Sequence, residues 1–458
     1  MHRDCLRFGN TQPPRHHARS LGWILGLAIA GLIALAAPVQ AELFEYVLQD
    51  DPSFSWKVEK NDTTPLGTVY HIDLTSQTWR DILWTHKLRI YEPKDVPTKD
   101  VMLLYITGGS TTRQHNPAED PMYFGLANFC GARIALLPQV PNQPLMGDRY
   151  EDDLIAETFL NYLKDGDEDW PLLQPMVKSA VKAMDAAQEW AKEKGEPVER
   201  FVVTGASKRG WTTWLSGAVD DRVAGIAPMV IPTLNMKAQS DHQLDVWGFH
   251  SEQIADYTRR GLTESFDTPE GAKLWRIVDP YFYLDKITVP KLQINGTNDR
   301  YWTLDSVNVF WDDIQGPSHV VYLPNAGHGL DQNREYATHG IAALFRHVVQ
   351  GKKLPDFSWE FPEAEDGSAK LVITFGEVKP RSIQVWGTAA DTRDYRESNW
   401  MVVYKEDIPE DADQFRFEQT HPGTPHAAFL GDLTFEIDGL EYHLSTTIRE
   451  LPAPAAEQ

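Results

Sequence analysis

Short apolar runs alternate with longer amphipathic segments between about residues 66 and 350. The runs VMLLYITGG (101–109), ARIALLPQV (132–140) and FVVTGA (201–206) contain few polar positions and are bounded by turn residues. Segment 172–195 instead places apolar residues at helical spacing and ends at Gly195. Uniformly apolar strands separated by helices predict a mainly parallel sheet with helices on both faces.

Two segments interrupt this alternation. Nearly sixty residues separate the apolar run AGIAPMVIP from the next run, KLQINGT. This segment is too long for a plain crossover and is rich in aromatic residues, so we predict a cap inserted over the site at about 232–288. The stretch 142–170 has no clear strand pattern, and we expect it to form another wall of the site.

The pattern changes after Gly351. Short runs with alternating apolar and polar residues follow, separated by turns, and none has the length and spacing of a helix. This pattern of short alternating runs predicts an all-β sandwich. The expected domains are therefore an α/β domain over 42–352 and a C-terminal β-sandwich domain over 353–451.

The N-terminus carries a targeting signal. Four arginines precede the apolar run at 21–37, and small residues lie just before a cleavage site after Ala41. We interpret 1–41 as a signal peptide and expect a periplasmic or secreted protein with no membrane span after processing. An uncleaved anchor is the alternative, since 17 residues is close to the shortest possible span.

Charge and cysteine content narrow the possible partners. Without residues 1–41 the chain has 39 basic and 65 acidic side chains, a net charge of −26. Such a surface repels nucleic acid and anionic lipid, so neither is an expected partner. Cys130 is then the single cysteine, which excludes an internal disulfide. Its apolar neighbours place it in the core.

The segment VVTGASKRGW (202–211) is a candidate nucleophile turn. A strand that bends sharply into a helix exposes a serine hydroxyl, here that of Ser207, at the carboxyl edge of the sheet. The usual pattern is G-x-S-x-G, but Arg209 stands at the second glycine position and the glycine follows as Gly210. We therefore expect Gly205 and Gly210 to provide the clearance that the turn needs.

A serine nucleophile requires a histidine base and a carboxylate that orients it. Asp299 follows the strand-like run KLQINGT, and His328 follows HVVYLPNAG. The chain order Ser, Asp, His, with each residue in a loop after a strand, is that of the α/β-hydrolases. We predict a triad of Ser207, Asp299 and His328.

Other residues are weaker candidates. Asp305 is the nearest alternative acid, and His319 or His339 could replace His328 only from poorly placed positions. The cluster of Asp241, His242, Asp245 and His250 has no spacing typical of a metal site, and we interpret these residues as solvated cap residues. The predicted reaction needs no metal and no organic cofactor.

The remaining predicted residues surround the serine. The backbone N–H of Lys208, at the start of the helix, and N–H groups near Gly109 and Ser110 form the predicted oxyanion hole. Arg209 is a candidate for binding an anionic substrate group. Pairing of Lys208 and Arg209 with acids of the protein itself is the equal alternative.

The segments GASKRGWTTWL, DDRVAGIAPMVIPTLNM, ITGGS and NGTNDRYW resemble the PhoPQ-activated pathogenicity-related protein family, over about residues 43–450. The resemblance implies an exported α/β-hydrolase with a C-terminal β domain and a link to virulence and to resistance against antimicrobial peptides. The altered serine turn is also a trait of that family.

These observations favour an exported serine hydrolase that cleaves an ester or peptide bond in a small-molecule or peptide substrate. The alternative is a non-catalytic secreted protein that keeps the hydrolase fold and binds cationic peptides. The intact order of Ser, Asp and His favours the enzyme, whereas the displaced glycine favours the binding protein.

Overall fold

The computed structural model describes residues 40–364 and 367–451, and these fall in one compact unit. The predicted signal peptide at 1–41 therefore lies almost wholly outside the described residues. Over the residues that are described, no helix combines the length and the apolar character that a bilayer span requires.

The strands are β1 (Ser55–Thr63), β2 (Gly67–Trp79), β3 (Ile82–Pro93), β4 (Thr98–Ile106), β5 (Ala132–Leu137), β6 (Arg200–Ala206), β7 (Val223–Met229), β8 (Lys291–Gly296), β9 (Ser318–Leu323), β10 (Phe357–Glu360), β11 (Ala369–Phe375), β12 (Ser382–Ala390), β13 (Met401–Asp407), β14 (Gln414–Gln419), β15 (His426–Ile437), β16 (Leu440–Ser445) and β17 (Arg449–Leu451).

The α-helices are α1 (Gln40–Leu48), α2 (Asp120–Cys130), α3 (Glu151–Asp165), α4 (Leu173–Glu193), α5 (Lys208–Val219), α6 (Met236–Trp247), α7 (Ala255–Thr258), α8 (Pro269–Val278) and α9 (Arg334–Val349). Short 3-10 helices occur at Pro117–Glu119, Glu252–Ile254, Glu264–Asp267, Pro280–Tyr283, Ser306–Val309 and Trp311–Asp313.

One large sheet runs through the molecule in the order β1-β2-β3-β5-β4-β6-β7-β8-β9-β16-β15-β12-β13, with β17 added beside β15. Strands β5, β4, β6, β7, β8 and β9 are parallel, and β1 to β3 extend the sheet as antiparallel strands. This arrangement, with crossover helices between the parallel strands, is the α/β-hydrolase fold, and it confirms the predicted fold class.

Helices cover both faces of the parallel sheet. Successive side chains of a strand point to opposite faces, so each face carries apolar residues that pack into its own core. On β4, Met102, Leu104 and Ile106 join a core with α3, α4 and α5, whereas Val101 and Leu103 face α2 and α9. Cys130 is buried in the second core, where burial raises the pKa of its thiol. The apolar runs of the sequence thus fill both faces.

The C-terminal segment is rich in strands and has two layers. A small sheet in the order β10-β11-β14 packs on β12, β15 and β16. The layers approach closely at Gly431, where an added Cβ would lie 3.0 Å from Leu371 Cδ2 and 3.1 Å from Ile373 Cδ1. The larger layer also continues the hydrolase sheet, since Ser445 of β16 pairs with Val320 of β9.

Two predicted segments have more structure than the sequence pattern indicates. The stretch 142–170, interpreted as irregular, contains the fifteen-residue helix α3, which buries Leu154, Ile155 and Phe159. Between β7 and β8, the predicted cap forms α6, α7 and α8 together with short 3-10 helices. Strands β1, β2, β3, β14 and β17 correspond to no individual run that the sequence pattern marks as a strand.

Because one sheet joins the C-terminal strands to the hydrolase strands, we expect them to unfold together. Leu433→Ala on β15, where the leucine is fully buried, should lower the stability of the whole chain by about 2–5 kcal/mol. Met401→Ala on β13, where the side chain is 58% exposed, is the matched control and should change it little. The measurement is calorimetry of thermal unfolding. If two unfolding transitions occur and Leu433→Ala shifts one of them, the C-terminal strands and the hydrolase strands do not unfold as one unit.

Candidate active site

Ser207 lies in a strained turn between β6 and α5. Its backbone has φ 58° and ψ −126°, a conformation that non-glycine residues rarely adopt. The turn is held because the Ser207 N–H donates to the Met229 carbonyl (2.8 Å) and the Trp211 N–H donates to the Ser207 carbonyl (2.9 Å). This is the geometry in which an α/β-hydrolase presents a nucleophile at the carboxyl edge of the sheet.

Glycines on both sides of the serine make the turn possible. A Cβ added at Gly205 would lie 2.8 Å from the Arg209 carbonyl oxygen and 2.9 Å from Arg209 Cβ. One added at Gly210 would lie 2.7 Å from Ile231 Cγ2 and 2.9 Å from the Met229 carbonyl oxygen. The late glycine therefore provides clearance against β7, as the sequence led us to expect.

Arg209 does not face the cavity beside Ser207. Its guanidinium donates two hydrogen bonds to Glu151, at 2.7 and 2.8 Å, and its Nε donates to the Val140 carbonyl at 2.5 Å. The side chain is buried, and an added Cβ at Gly108 would lie 2.1 Å from its Nη2. The structure therefore favours the alternative to the predicted role in substrate binding, a structural ion pair, since three hydrogen bonds of the guanidinium go to Glu151 and Val140.

Glu151 and Asp152 also hold the side chain of Lys208. Lys208 Nζ lies 3.1 Å from Glu151 Oε2 and 3.0 Å from Asp152 Oδ2. Burial by itself raises the pKa of the Glu151 carboxyl, but the hydrogen bonds and charge of Arg209 and the charge of Lys208 outweigh it and lower that pKa to about 2. The two cations beside the serine are thus neutralised by two carboxylates of α3.

Asp299 and His328 form the pair that the sequence predicts. Asp299 follows β8 and His328 follows β9, and Asp299 Oδ2 lies 2.8 Å from His328 Nδ1. The other carboxylate oxygen accepts the Tyr301 N–H at 2.8 Å. The Tyr301 ring stacks on the imidazole, with ring centroids 4.0 Å apart. The imidazole is thus oriented by a carboxylate and by an aromatic ring.

The second imidazole nitrogen of His328 is buried, and no hydrogen-bond partner for it occurs among the described residues. It is therefore not bonded to the Ser207 hydroxyl in this structure. Both residues nevertheless lie at the carboxyl edge of one parallel sheet, at the ends of β6 and β9. Hydrogen bonds of catalytic groups are often long without substrate and shorten when it binds.

The alternative candidates are engaged elsewhere. Asp305 Oδ1 lies 2.7 Å from His242 Nε2, whereas His319 and His339 bond the backbone carbonyls of Pro355 and Glu441. In the cap, Asp241 pairs with Lys237 and Asp245 with Arg393. Since His242 bonds Asp305, the side chains of Asp241, His242 and Asp245 each have other partners.

Ser207 lines a largely apolar, partly open cavity. The walls come from the serine turn, the cap, α3 and the loop after Asp299. The lining residues are Asp152, Ser207, Lys208, Trp211, Ile231, Met236, Ser240, Ile254, Tyr257, Leu262, Thr263, Phe266, Trp275, Tyr301 and Trp302. The cap and α3 thus form walls of this cavity.

His328 lies on a second cleft, which is polar and open to solvent. Its charged lining residues include Arg300, Asp331, Arg396 and Glu397. Tyr301 lines both this cleft and the apolar cavity. The predicted nucleophile and the predicted base thus face two environments of different chemistry that meet at Tyr301.

The predicted oxyanion residues lie next to the serine turn: Lys208 follows Ser207 in sequence, and Gly109 and Ser110 follow the strand beside β6. Lys208 is the first residue of α5, where backbone N–H groups lack intrahelical partners. Gly109 and Ser110 follow β4, the strand beside β6, and Gly109 has φ +110°, a conformation suited to glycine. Neither Gly109 nor Ser110 lines the apolar cavity, and the oxyanion hole stays a prediction.

Sequence reasoning missed three residues that shape this site: Glu151, Asp152 and Tyr301. Glu151 and Asp152 lie in a stretch without strand pattern, and their partners are more than fifty residues away. The acidic run EDD after a tyrosine, a composition typical of a helix N-terminus, was an available signal for α3. Tyr301 lies two residues after Asp299 and could have been noticed there.

A model of the family described as PhoPQ-activated pathogenicity-related protein matches residues 43–396. Autocrine proliferation repressor protein A of Dictyostelium discoideum is 33% identical to the chain over 400 residues, which cover 83% of this chain and 81% of that protein.

Among solved structures, the chain resembles acetyl xylan esterase 1 from Thermoanaerobacterium sp., with 15% identity, a TM-score of 0.46 and coverage of 67% of this chain and 93% of that chain. It also resembles a glucuronoyl esterase from Solibacter usitatus, with 12% identity, a TM-score of 0.41 and coverage of 67% and 91%. Neither likeness bears on the reaction.

The lowered pKa of Glu151 makes the ion cluster sensitive to acid. A carboxylate with a folded pKa of about 2 and an ordinary value of 4.5 stabilises the fold above pH 4.5, and that stabilisation is lost as pH falls through about 2. Glu151→Gln should lower the melting temperature most above pH 4.5, and the difference in melting temperature between the variant and the wild type should become smaller towards pH 2.

The measurement is thermal unfolding of both proteins across this pH range. Glu418→Gln is the matched control, since Glu418 pairs with Lys370 at the surface, where such pairs contribute little. A gap between wild type and Glu151→Gln that stays constant from pH 6 to pH 2 would contradict the ionic role of Glu151.

Proposed function

The chain belongs to the PhoPQ-activated pathogenicity-related protein family, and we propose that it is an exported serine hydrolase that cleaves an ester or amide bond. One observation carries the proposal. Ser207 stands in a strained turn on the wall of a cavity, and the Asp299–His328 pair lies at the same edge of the sheet. A strained backbone conformation lowers the stability of the fold, and such conformations cluster at active sites, where the strain is part of the function.

The proposed reaction has two stages, acylation and deacylation of Ser207, and His328 transfers protons in both. The Ser207 hydroxyl attacks the carbonyl carbon while His328 Nε2 takes its proton, and the imidazolium gives that proton to the leaving group, which departs and leaves an acyl-enzyme. Water then attacks the acyl-enzyme carbonyl, His328 Nε2 takes the proton of the water, and the imidazolium returns it to Ser207 Oγ as the acid product leaves. Asp299 accepts the hydrogen bond from Nδ1–H, so that Nε2 carries the lone pair and the imidazolium is stabilised. Because Nε2 has no partner among the described residues, it is available for this proton.

Charge that develops on the carbonyl oxygen needs donors. The Lys208 N–H at the start of α5 is the first proposed donor, and an N–H of the Gly109–Ser110 loop is the second. The Lys208 ammonium is not proposed as a donor because Glu151 and Asp152 already hold it.

The two clefts suggest which part of the substrate goes where. A base that protonates the leaving group must face it, so the leaving group belongs in the polar cleft beside His328. The acyl group then belongs in the aromatic cavity beside Ser207. Because Lys208, the cation among the lining residues, is paired with Glu151 and Asp152, an anionic acyl group would find no free countercharge there. We therefore propose an apolar, uncharged acyl group.

A second candidate function is binding without catalysis. The relative from Dictyostelium is named as a proliferation repressor rather than as an enzyme, and the Ser207 hydroxyl is not bonded to His328 in this structure. In this alternative the cavity captures an apolar ligand, or the acidic surface a cationic peptide, and the triad is vestigial. Covalent reactivity of Ser207 separates the two functions.

A fluorophosphonate should label Ser207 of the chain from residue 42 onward. Ser207→Ala and His328→Ala should each reduce turnover about 10⁶-fold, and Asp299→Asn about 10⁴-fold, by analogy with other triads. Asp305→Asn is the matched control: Asp305 pairs with His242, so this change should leave turnover within a few fold of the wild type. Mass spectrometry that finds no adduct, while a known serine hydrolase is labelled alongside, would favour the binding function.

Esters that share one alcohol and differ in the acyl group test the proposed cavity. A neutral aromatic acyl group should give a kcat/KM about 100-fold or more above that of a carboxylate-bearing acyl group of similar size, because Lys208 is already paired and leaves the anion without a partner. Arg209→Ala should lower activity on both esters alike and lower the melting temperature. A selective loss on the anionic ester would instead restore Arg209 as a substrate-binding residue.

A further inference from the structure

Three side chains that typically bind metals meet at the β1–β2 end of the large sheet, outside the site described above. Asp62 is on β1, His71 is on β2 and His115 is in the loop after β4. One possible ligand atom from each lies within 4.8 Å of the other two. Two imidazoles and a carboxylate form a ligand set for zinc and other divalent first-row transition ions.

His71 is the buried member of this group. The residue is 7% exposed, and its Nε2 lies 2.9 Å from Asp62 Oδ2 without the geometry of a hydrogen bond. A buried ring nitrogen with no hydrogen-bond partner in the described residues is unfavourable, and a metal ion would provide a partner.

His115 has the support that metal-bound histidines usually have. Its Nε2 lies 2.8 Å from Asp120 Oδ1, and the same oxygen accepts the Tyr91 hydroxyl at 2.8 Å. A carboxylate behind the imidazole fixes the tautomer and raises the basicity of the other nitrogen. With Nε2–H donated to Asp120, Nδ1 carries the lone pair that a metal needs.

We propose that Asp62, His71 and His115 bind a divalent first-row transition ion, with zinc as the best match. Lys60 competes for Asp62, since its Nζ lies 2.7 Å from Asp62 Oδ2. Both side chains are about half exposed, and exposed pairs of this kind contribute little, so the ammonium can leave at low cost. Three protein ligands leave a coordination position for water.

The site joins parts of the chain that are far apart in sequence. A metal ion would tie β1 and β2 to the loop between β4 and α2. That loop also contains Gly109 and Ser110, and Arg113 packs against Gly109. The ion would therefore hold in place the loop to which we assign the second oxyanion donor. The triad itself needs no metal, so this role is structural.

The test uses the tag-free chain from residue 42 onward, depleted of metal with a chelator and titrated with Zn²⁺ and with Co²⁺. We expect saturable binding of one ion per chain, a rise in melting temperature and a visible Co²⁺ absorption band. Asp62→Asn, His71→Asn and His115→Asn should remove these signals, and Asp120→Asn should weaken binding about 10–100-fold. His339→Asn, which removes a surface histidine bonded to a backbone carbonyl, should retain them.

Absence of saturable binding to the wild type would overturn the proposal. So would unchanged Zn²⁺ affinity in both Asp62→Asn and His115→Asn, since the ion would then bind elsewhere. If His71→Asn, a change at a buried position, does not fold, Zn²⁺ binding by Asp62→Asn still tests the proposal, because the Asp62 side chain is half exposed. None of these measurements depends on turnover.

Discussion

The serine turn depends on the ion pair between Glu151 and Arg209. A buried guanidinium is unfavourable unless it is paired with an anion and hydrogen-bonded, and here Glu151 accepts two hydrogen bonds and the Val140 carbonyl a third. Glu151 is itself fixed, because it exchanges two hydrogen bonds with the side chain of Gln143. The turn after β6, the start of α3 and the loop after β5 are thereby locked together.

This ion pair also explains how the turn functions with its glycine displaced. In G-x-S-x-G the second glycine leaves space where Arg209 stands here. The arginine instead occupies that space, with its Cβ against Gly205 and its guanidinium against Gly108, and Gly210 provides the clearance against β7. The space that one glycine provides in the usual turn is thus provided here by three glycines, Gly108, Gly205 and Gly210. Because Gly108 precedes Gly109, the arginine also contacts the loop assigned to the second oxyanion donor.

Much of this site could be predicted because parallel strands end at one edge. The residues that follow β6, β8 and β9 must lie near each other, so Asp299 could be paired with His328 from the order of strands alone. Partners across loops could not be predicted in the same way. Glu151 is 58 residues from Arg209, in a segment whose helix was not recognised. The joining of the C-terminal strands to the sheet depends on one residue pair, Val320 with Ser445, which has no periodic signature.

Tyr301 connects the orientation of the base to the division between the two clefts. Its N–H fixes Asp299, its ring stacks on His328, and the same ring lines both the aromatic cavity and the polar cleft. Replacement of Tyr301 by a smaller residue would therefore change the lining of both and would also remove the ring that stacks on the imidazole. Acyl selectivity and proton transfer therefore share one side chain in the proposed mechanism. The cap can vary at Met236, Leu262 or Phe266 without that penalty, because those residues line the cavity without lining the cleft beside His328.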